Sequence, residues 1–128
     1  PWAEVSLTDA KKMALREGDI VLVESPSGTI EAPVYVHPGV PPGVVGLPLG
    51  QGHRAFGRYA EGRGANPWAL IAPVTEGETG ALAWGATRVR LTPTGRRVRL
   101  PKFEGAVFPV QQLSERPVIE VARPEEGR

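Results

Sequence analysis

The chain has 128 residues, carries 15 Lys and Arg against 14 Asp and Glu, and contains no cysteine and two histidines, His37 and His53. That length suits one domain with a core of its own, and the near-balance of charge points to no particular partner. The lack of cysteine excludes disulfides, thiolate metal sites and a cysteine nucleophile, and two histidines are too few for a histidine-rich metal site.

Sixteen Gly and fourteen Pro make up nearly a quarter of the residues, against a usual share of roughly 12%. Spread between short apolar runs, they predict many short strands and turns in preference to helices. No stretch resembles a signal peptide or an apolar span of about 20 residues. The first residue is proline, so the chain reads as a piece of a longer polypeptide.

Residues 1–5 are expected to form a short strand. Thr8 then suits the N-cap of a short helix in which Ala10, Met13 and Ala14 recur at helical spacing until Gly18 stops it, with Leu15 packing beneath. Residues 19–25, DIVLVES, form an unbroken β-branched run, which predicts a central strand covered on both faces. Pro26-Ser27-Gly28 makes a turn. Residues 29–36 alternate, with Ile30, Ala32, Val34 and Val36 on one face, and Pro33 confines this strand to an edge or a bulge. HPGVPPG reads as a rigid connector and residues 44–49 as the next strand.

Asn66-Pro67 suits the start of one helical turn running through Leu70, because proline fits the first helical position. APVTEGETGALAW reads as a long surface excursion. Residues 87–92 and 97–100 are expected to pair as a hairpin across Pro93-Thr94-Gly95, with Val89, Leu91, Val98 and Leu100 inward. A further strand is expected at 117–121, and PEEGR reads as a frayed tail. The pattern is mainly β: five or six short strands with one or two short helices, as in a small β-barrel.

The most unusual stretch lies in mid-chain, where VVGLPL opens into GQGHRAFGRYAEGRGAN. Gly50, Gly52, Gly57, Gly62 and Gly64 let peptide N–H groups approach a ligand with no Cβ between them. Arg54, Arg58 and Arg63 add planar forks suited to phosphate, or to acids on a neighbouring domain. A mobile surface loop is the competing reading. Phe56, Tyr59 and Trp68 more often pack such a loop down than stack on a base.

Three pieces of the chain resemble the molybdopterin dinucleotide-binding domain, the C-terminal module of molybdenum and tungsten oxidoreductases of the DMSO-reductase type. DAKKMALREGDIVLVESPSGTIEAPV looks like that family's helix, Gly-Asp, strand and hairpin. HPGVPPGVVGLPLGQGH is similar to its strand rising from a Pro-Gly turn into the cofactor loop, and GRGANPWAL resembles its Asn and closing segment. Within the family the loop looks nearest to the iron-sulfur subunit of bacterial alternative complex III and to polysulfide-reductase relatives. The resemblance implies a double-psi β-barrel over residues 1–103, followed by an extended C-terminal segment and tail over 104–128.

It also implies a non-catalytic domain that caps molybdopterin guanine dinucleotide, shared with the rest of the parent chain. Gly50, Gln51, Gly52, His53, Arg54, Arg63 and Asn66 would contact it, with no catalytic or metal-ligating residue in this domain. The implied partners are the preceding domains of the same polypeptide and the iron-sulfur and membrane subunits of a bacterial respiratory complex. That complex would lie on the periplasmic or the cytoplasmic side of the membrane, without insertion of this domain. His53 has an alternative as a loop strut and Asn66 as the cap before Pro67.

Two other readings stay open. In one, the same barrel is a cofactor-free scaffold. In the other, the cluster Arg88, Arg90, Arg97, Arg99 and Lys102 on one hairpin face meets an anion or nucleic acid, because like charges across paired strands repel. Against nucleic acid, these strands lack interleaved aromatics for stacking bases.

Overall fold

A computed structural model describes residues 1–55 and 57–101. Its frame is a five-stranded mixed sheet in the order β4-β1-β3-β2-β5. The strands are β1 (Ala3–Val5), β2 (Asp19–Ser25), β3 (Gly28–Val36), β4 (Val45–Gly46) and β5 (Arg90–Arg97), with one helix, α1 (Leu7–Lys12). The expected mainly β class is therefore borne out. Among the described residues β4 and β5 remain the two ends of the order, so the sheet is open and not closed into a barrel. Residues 104–128, with the strand expected at 117–121, lie outside the described residues.

Alternation builds the core. Val21 and Val23 of β2 are fully buried, as are Ala32 and Val34 of β3 and Ala3 and Val5 of β1, and together with Ala10, Leu15, Ile30 and Leu70 they make one cluster. Burying a Val or Leu side chain stabilises by about 1.5–3 kcal/mol, so this short list is the main drive for folding. β2 is not covered on both faces as its composition predicts: Ile20 and Leu22, on the face away from Val21 and Val23, stay half-exposed.

β3 is also not an edge strand. It pairs with β2 from Gly28 to Pro33 and with β1 from Val34 to Val36. Pro33 sits where one partner hands over to the other, the place in a central strand where a missing N–H costs least.

The helix starts earlier than expected. Ser6, not Thr8, is the N-cap: its hydroxyl accepts from Asp9 N at 3.0 Å and donates to Asp9 Oδ2 at 2.8 Å. Asp9 thus fills the first turn, where its charge favours the helix dipole. The same Oδ2 accepts from Gly43 N at 2.6 Å, 34 residues away, and so ties α1 to the HPGVPPG connector just before β4.

The arginine segment forms one strand, not a hairpin. β5 runs through Pro93-Thr94-Gly95 and pairs antiparallel with β2, with Val21 opposite Pro93 and Asp19 opposite Arg97. The extra residues on β5 make a bulge, which Thr94 Oγ1 holds by donating to Ile20 O at 2.7 Å. Val89 and Leu91 pack against the core as expected, but Val98 lies 43% exposed.

Candidate functional site

Two backbone hydrogen bonds make the glycine-rich stretch a closed loop: Gly52 N donates to Arg63 O at 2.9 Å and Gly62 N to His53 O at 3.1 Å. Its base is tightly packed. A Cβ on Gly52 would run into Ala65 and Asn66, and one on Gly64 into Pro1 and Gln51, so the loop foot abuts the start of β1. Both glycines have positive φ, +81° and +67°. Only glycine meets both demands at once.

The outer part of the loop is open. At Gly50 and Gly62 a Cβ would meet nothing within 4 Å among the described residues. The N–H groups of Gln51, Arg54, Gly64 and Ala65 have no acceptor among the described residues. Arg54 and Arg63 are exposed, and neither guanidinium faces an acid or a ring there. Two cations and several peptide donors on one closed loop are the donor set that a pyrophosphate or a heterocycle edge requires.

The other expected ligands divide. His53 Nε2 lies 3.2 Å from Gly50 O, so its ring spans the loop as a strut. Asn66 caps the 3-10 turn Pro67–Leu70, its Oδ1 accepting from Trp68 N at 3.1 Å, which leaves its amide NH2 as donor. Arg58 does not stand free: its guanidinium donates to Tyr59 Oη at 2.6 Å and lies 4.6 Å above the Tyr59 ring. Tyr59 and Trp68, expected to pack the loop down, instead lie 74% and 51% exposed. Phe56 lies outside the described residues.

Leu70 joins this loop to the fold. It is 2% exposed, and its carbonyl accepts from Ser25 Oγ at 2.7 Å, at the turn between β2 and β3. Gly28 of that turn packs so closely on Ala69 O that no side chain fits between them. The 3-10 turn after the loop is thereby fixed to one end of the β2–β3 hairpin.

The second basic cluster resolves differently. Arg96 pairs with Glu31 at 2.5 Å, and Arg97 with Asp19 at 2.6 Å. Arg97, followed by Arg16 N, holds the Asp19 carboxyl below its ordinary range, and Asp19 in turn raises Arg97. At Asp9, Gly43 N and then the Ser6 hydroxyl act in the same lowering direction. Of the expected cluster, Arg97 alone is neutralised, by an acid distant in sequence; Arg96, outside that cluster, is paired as well. Arg88, Arg90 and Arg99 have no acid partner among the described residues, and Arg88 and Arg90 line an open cleft of about 390 Å³ with Glu24, Ser25, Pro26 and Val89. Lys102 lies outside the described residues. Among the described residues no three His, Cys, Asp or Glu converge as a metal site, and no helix is long and apolar enough to cross a membrane.

Comparison with known proteins shows the family of the chain. Residues 1–82 match the family described as "Molydopterin dinucleotide binding domain". The chain belongs to the molybdopterin dinucleotide-binding domain family. It is 37% identical over 82 residues to the menaquinone reductase molybdopterin-binding-like subunit of Nitratidesulfovibrio vulgaris, covering 64% of this chain and 12% of that protein. It is 38% identical over 96 residues to the arsenate respiratory reductase molybdopterin-containing subunit of Shewanella sp., covering 70% of this chain and 11% of that one. A tetrathionate reductase subunit of Archaeoglobus fulgidus is 30% identical over 114 residues, covering 89% and 9%. The molybdopterin-binding domain thus spans about a tenth of the length of these relatives.

The family match over residues 1–82 contains the glycine-rich loop and the 3-10 turn and stops before β5. The Ser6-x-x-Asp9 spacing of a capping box is the local signal for the Ser6 cap, whereas the Asp9–Gly43 tie, 34 residues long, has no local signal.

Proposed function

We propose that this domain caps one side of a molybdopterin guanine dinucleotide whose remaining contacts come from other domains of the same polypeptide, a molybdopterin oxidoreductase subunit. The observation that carries this reading is the closed loop, in which exposed Arg54 and Arg63 and peptide N–H groups without an acceptor among the described residues stand on a tightly packed foot. Arg54 and Arg63 would neutralise phosphate, Gln51 and the Asn66 NH2 would bond polar ring edges, and His53 would keep the loop in shape. Gly50, with open space at its Cβ position, would let the ligand approach the backbone, and Gly52 would hold the loop foot beneath it. When bound, the cofactor supplies the redox chemistry; this chain binds, orients and shields it. The full family barrel would be completed by chain beyond the described residues. We assign the parent subunit to a membrane-associated respiratory complex, with iron-sulfur and membrane subunits as partners.

The test uses the full-length parent polypeptide. Arg54→Ala with Arg63→Ala should lower the pterin and guanine nucleotide released per protein by roughly tenfold, the effect of losing one or two charge-assisted hydrogen bonds. A wild-type protein that releases neither would sink the reading and leave the cofactor-free scaffold. The name of the Nitratidesulfovibrio relative, "molybdopterin-binding-like", keeps that second reading in view. A nucleic-acid role is disfavoured, because the strands lack interleaved aromatics to stack bases and Arg97 of the cluster is already paired with Asp19.

A further inference from the structure

Trp68 and Trp84 are 51% and 56% exposed, yet their rings meet edge-to-face with centroids 5.2 Å apart. Val74, 47% exposed, lies opposite the residue before Trp84, since Ala83 N donates to Val74 O at 2.8 Å. Single exposed apolar residues are ordinary, but a contiguous pair of indoles with an aliphatic neighbour marks a surface meant to be covered.

The patch stands on a rigid base. Trp68 lies in the 3-10 turn capped by Asn66 and seated by buried Pro67 and Leu70. Trp84 begins a second 3-10 turn, Trp84–Ala86, behind the Thr75↔Leu82 bridge. Thr87 Oγ1 closes the segment by accepting from Ala72 N at 3.0 Å. Side chains so fixed lose little entropy on being covered, as interface anchors require.

We propose that Trp68, Val74 and Trp84 form the anchor by which this domain seats on the remainder of its own polypeptide. This rests on the proposed function. Three observations favour that occupant. Relatives carry about nine-tenths of their length outside the matched region, so most of the parent chain is available to cover the patch. The patch is continuous with the candidate cofactor loop, since Asn66 of that loop caps the turn bearing Trp68. The chemistry also differs from that of Trp2, whose Nε1 donates to Glu4 Oε1 at 2.9 Å. The indole N–H groups of Trp68 and Trp84 have no acceptor among the described residues. The covering surface is therefore an apolar pocket with carbonyl or carboxylate oxygens at its rim.

The experiment compares full-length parent protein, wild type and Trp68→Ser/Trp84→Ser, by limited proteolysis and hydrogen exchange at this domain's boundaries, with cofactor content read in parallel. Leu7→Ser, at an exposed site on α1, is the control. The double variant should open the boundary roughly 30-fold faster, the size of losing an interface hot spot, while Leu7→Ser changes nothing. Trp68→Phe/Trp84→Phe, which keeps an aromatic ring at each position but no indole N–H, should restore most of the protection and excludes simple misfolding. Unchanged boundary protection in the double variant overturns the proposal. So does loss of cofactor without any opening, which would make the indoles a stacking platform for the ligand. If the domain opens but wild-type protein carries no cofactor, the anchor stands and the cofactor-capping function falls.

Discussion

Two halves of this molecule are held together in different ways. The sheet region, residues 1–46 with β5, is fixed by apolar side chains that alternate along strands and meet in one cluster. Among its described residues the arc from residue 47 to 86 contributes one fully buried large side chain, Leu70, and is otherwise shaped by glycine, backbone hydrogen bonds and two 3-10 turns. The first kind of segment makes its own interior. The second spends its ordered backbone on presenting groups outward, which is useful only if something is there to receive them.

Leu70 is where the two halves join, so it gives the largest test of that contrast. Leu70→Ala should cost about 2–5 kcal/mol, the usual loss for an enclosed leucine, and should release the loop from the β2–β3 turn. Denaturant unfolding measures the first effect, and hydrogen exchange at Gly52 and Gly62 the second. If exchange in the loop stayed unchanged while global stability fell, the loop would not depend on the sheet.

Within the arc, two glycines of similar φ should behave unequally. Gly52→Ala combines a left-handed backbone with a collision against Ala65 and Asn66, and we expect a loss of roughly 3 kcal/mol. Gly62→Ala has the same left-handed strain but open space beyond its Cβ, which costs about 1 kcal/mol. Equal losses would mean that φ alone matters and that the tight foot is irrelevant.

How much of this was legible in the sequence follows the same division. Alternation in Ile30, Ala32 and Val34, and the Asn66-Pro67 start of a turn, could be read directly, because each is a local signal. The hairpin expected at Pro93-Thr94-Gly95 was not, because a turn and a bulge use the same residues. The choice is made by β2, which lies more than 70 residues earlier and offers Ile20 O to Thr94. The partners of Arg96 and Arg97 were hidden for the same reason: Asp19 and Glu31 come near β5 only once β2 pairs with β5 on one side and with β3 on the other. Thr8 and Ser6 are both competent caps. Ser6 is selected by its bond to Asp9, a local signal in the Ser6-x-x-Asp9 spacing, and by its burial, which is a tertiary fact. In the candidate site, the glycines and arginines announced themselves by composition. The division between free Arg54 and Arg63 and ring-bound Arg58 did not, since it depends on where Tyr59 turns.

The two caps sharpen the comparison at a smaller scale. Ser6→Ala removes a buried hydroxyl that bonds Asp9 twice, and should cost up to about 2 kcal/mol; Asn66→Ala, at an exposed turn, about 0.5–1 kcal/mol. Thermal unfolding ranks them. A reversed order would imply that Asn66 carries more than its bond to Trp68 N.

The smallest expected effects are those of pH, and they separate the halves by mechanism. Asp9 and Asp19 both have lowered carboxyl pKa values in the folded chain. The unfolded state then binds more protons across the interval between folded and unfolded values, so stability rises with pH there. The contribution is complete above the unfolded value of about 3.9, and it is lost as pH falls through the lowered folded values. Asp19→Asn and Asp9→Asn should each flatten part of that acid limb. Salt should tell the two apart. The lowering at Asp19 comes first from Arg97, a charge partner at the surface, and screening weakens such a pair. At Asp9 it comes first from Gly43 N and the Ser6 hydroxyl, neutral donors whose bonds do not fade with ionic strength. The Asp9-dependent part of the acid limb should therefore persist at 1 M salt (a Debye length of about 3 Å), while the Asp19-dependent part shrinks. Identical salt responses would show that the connector is not tied to α1 through Asp9 and Gly43.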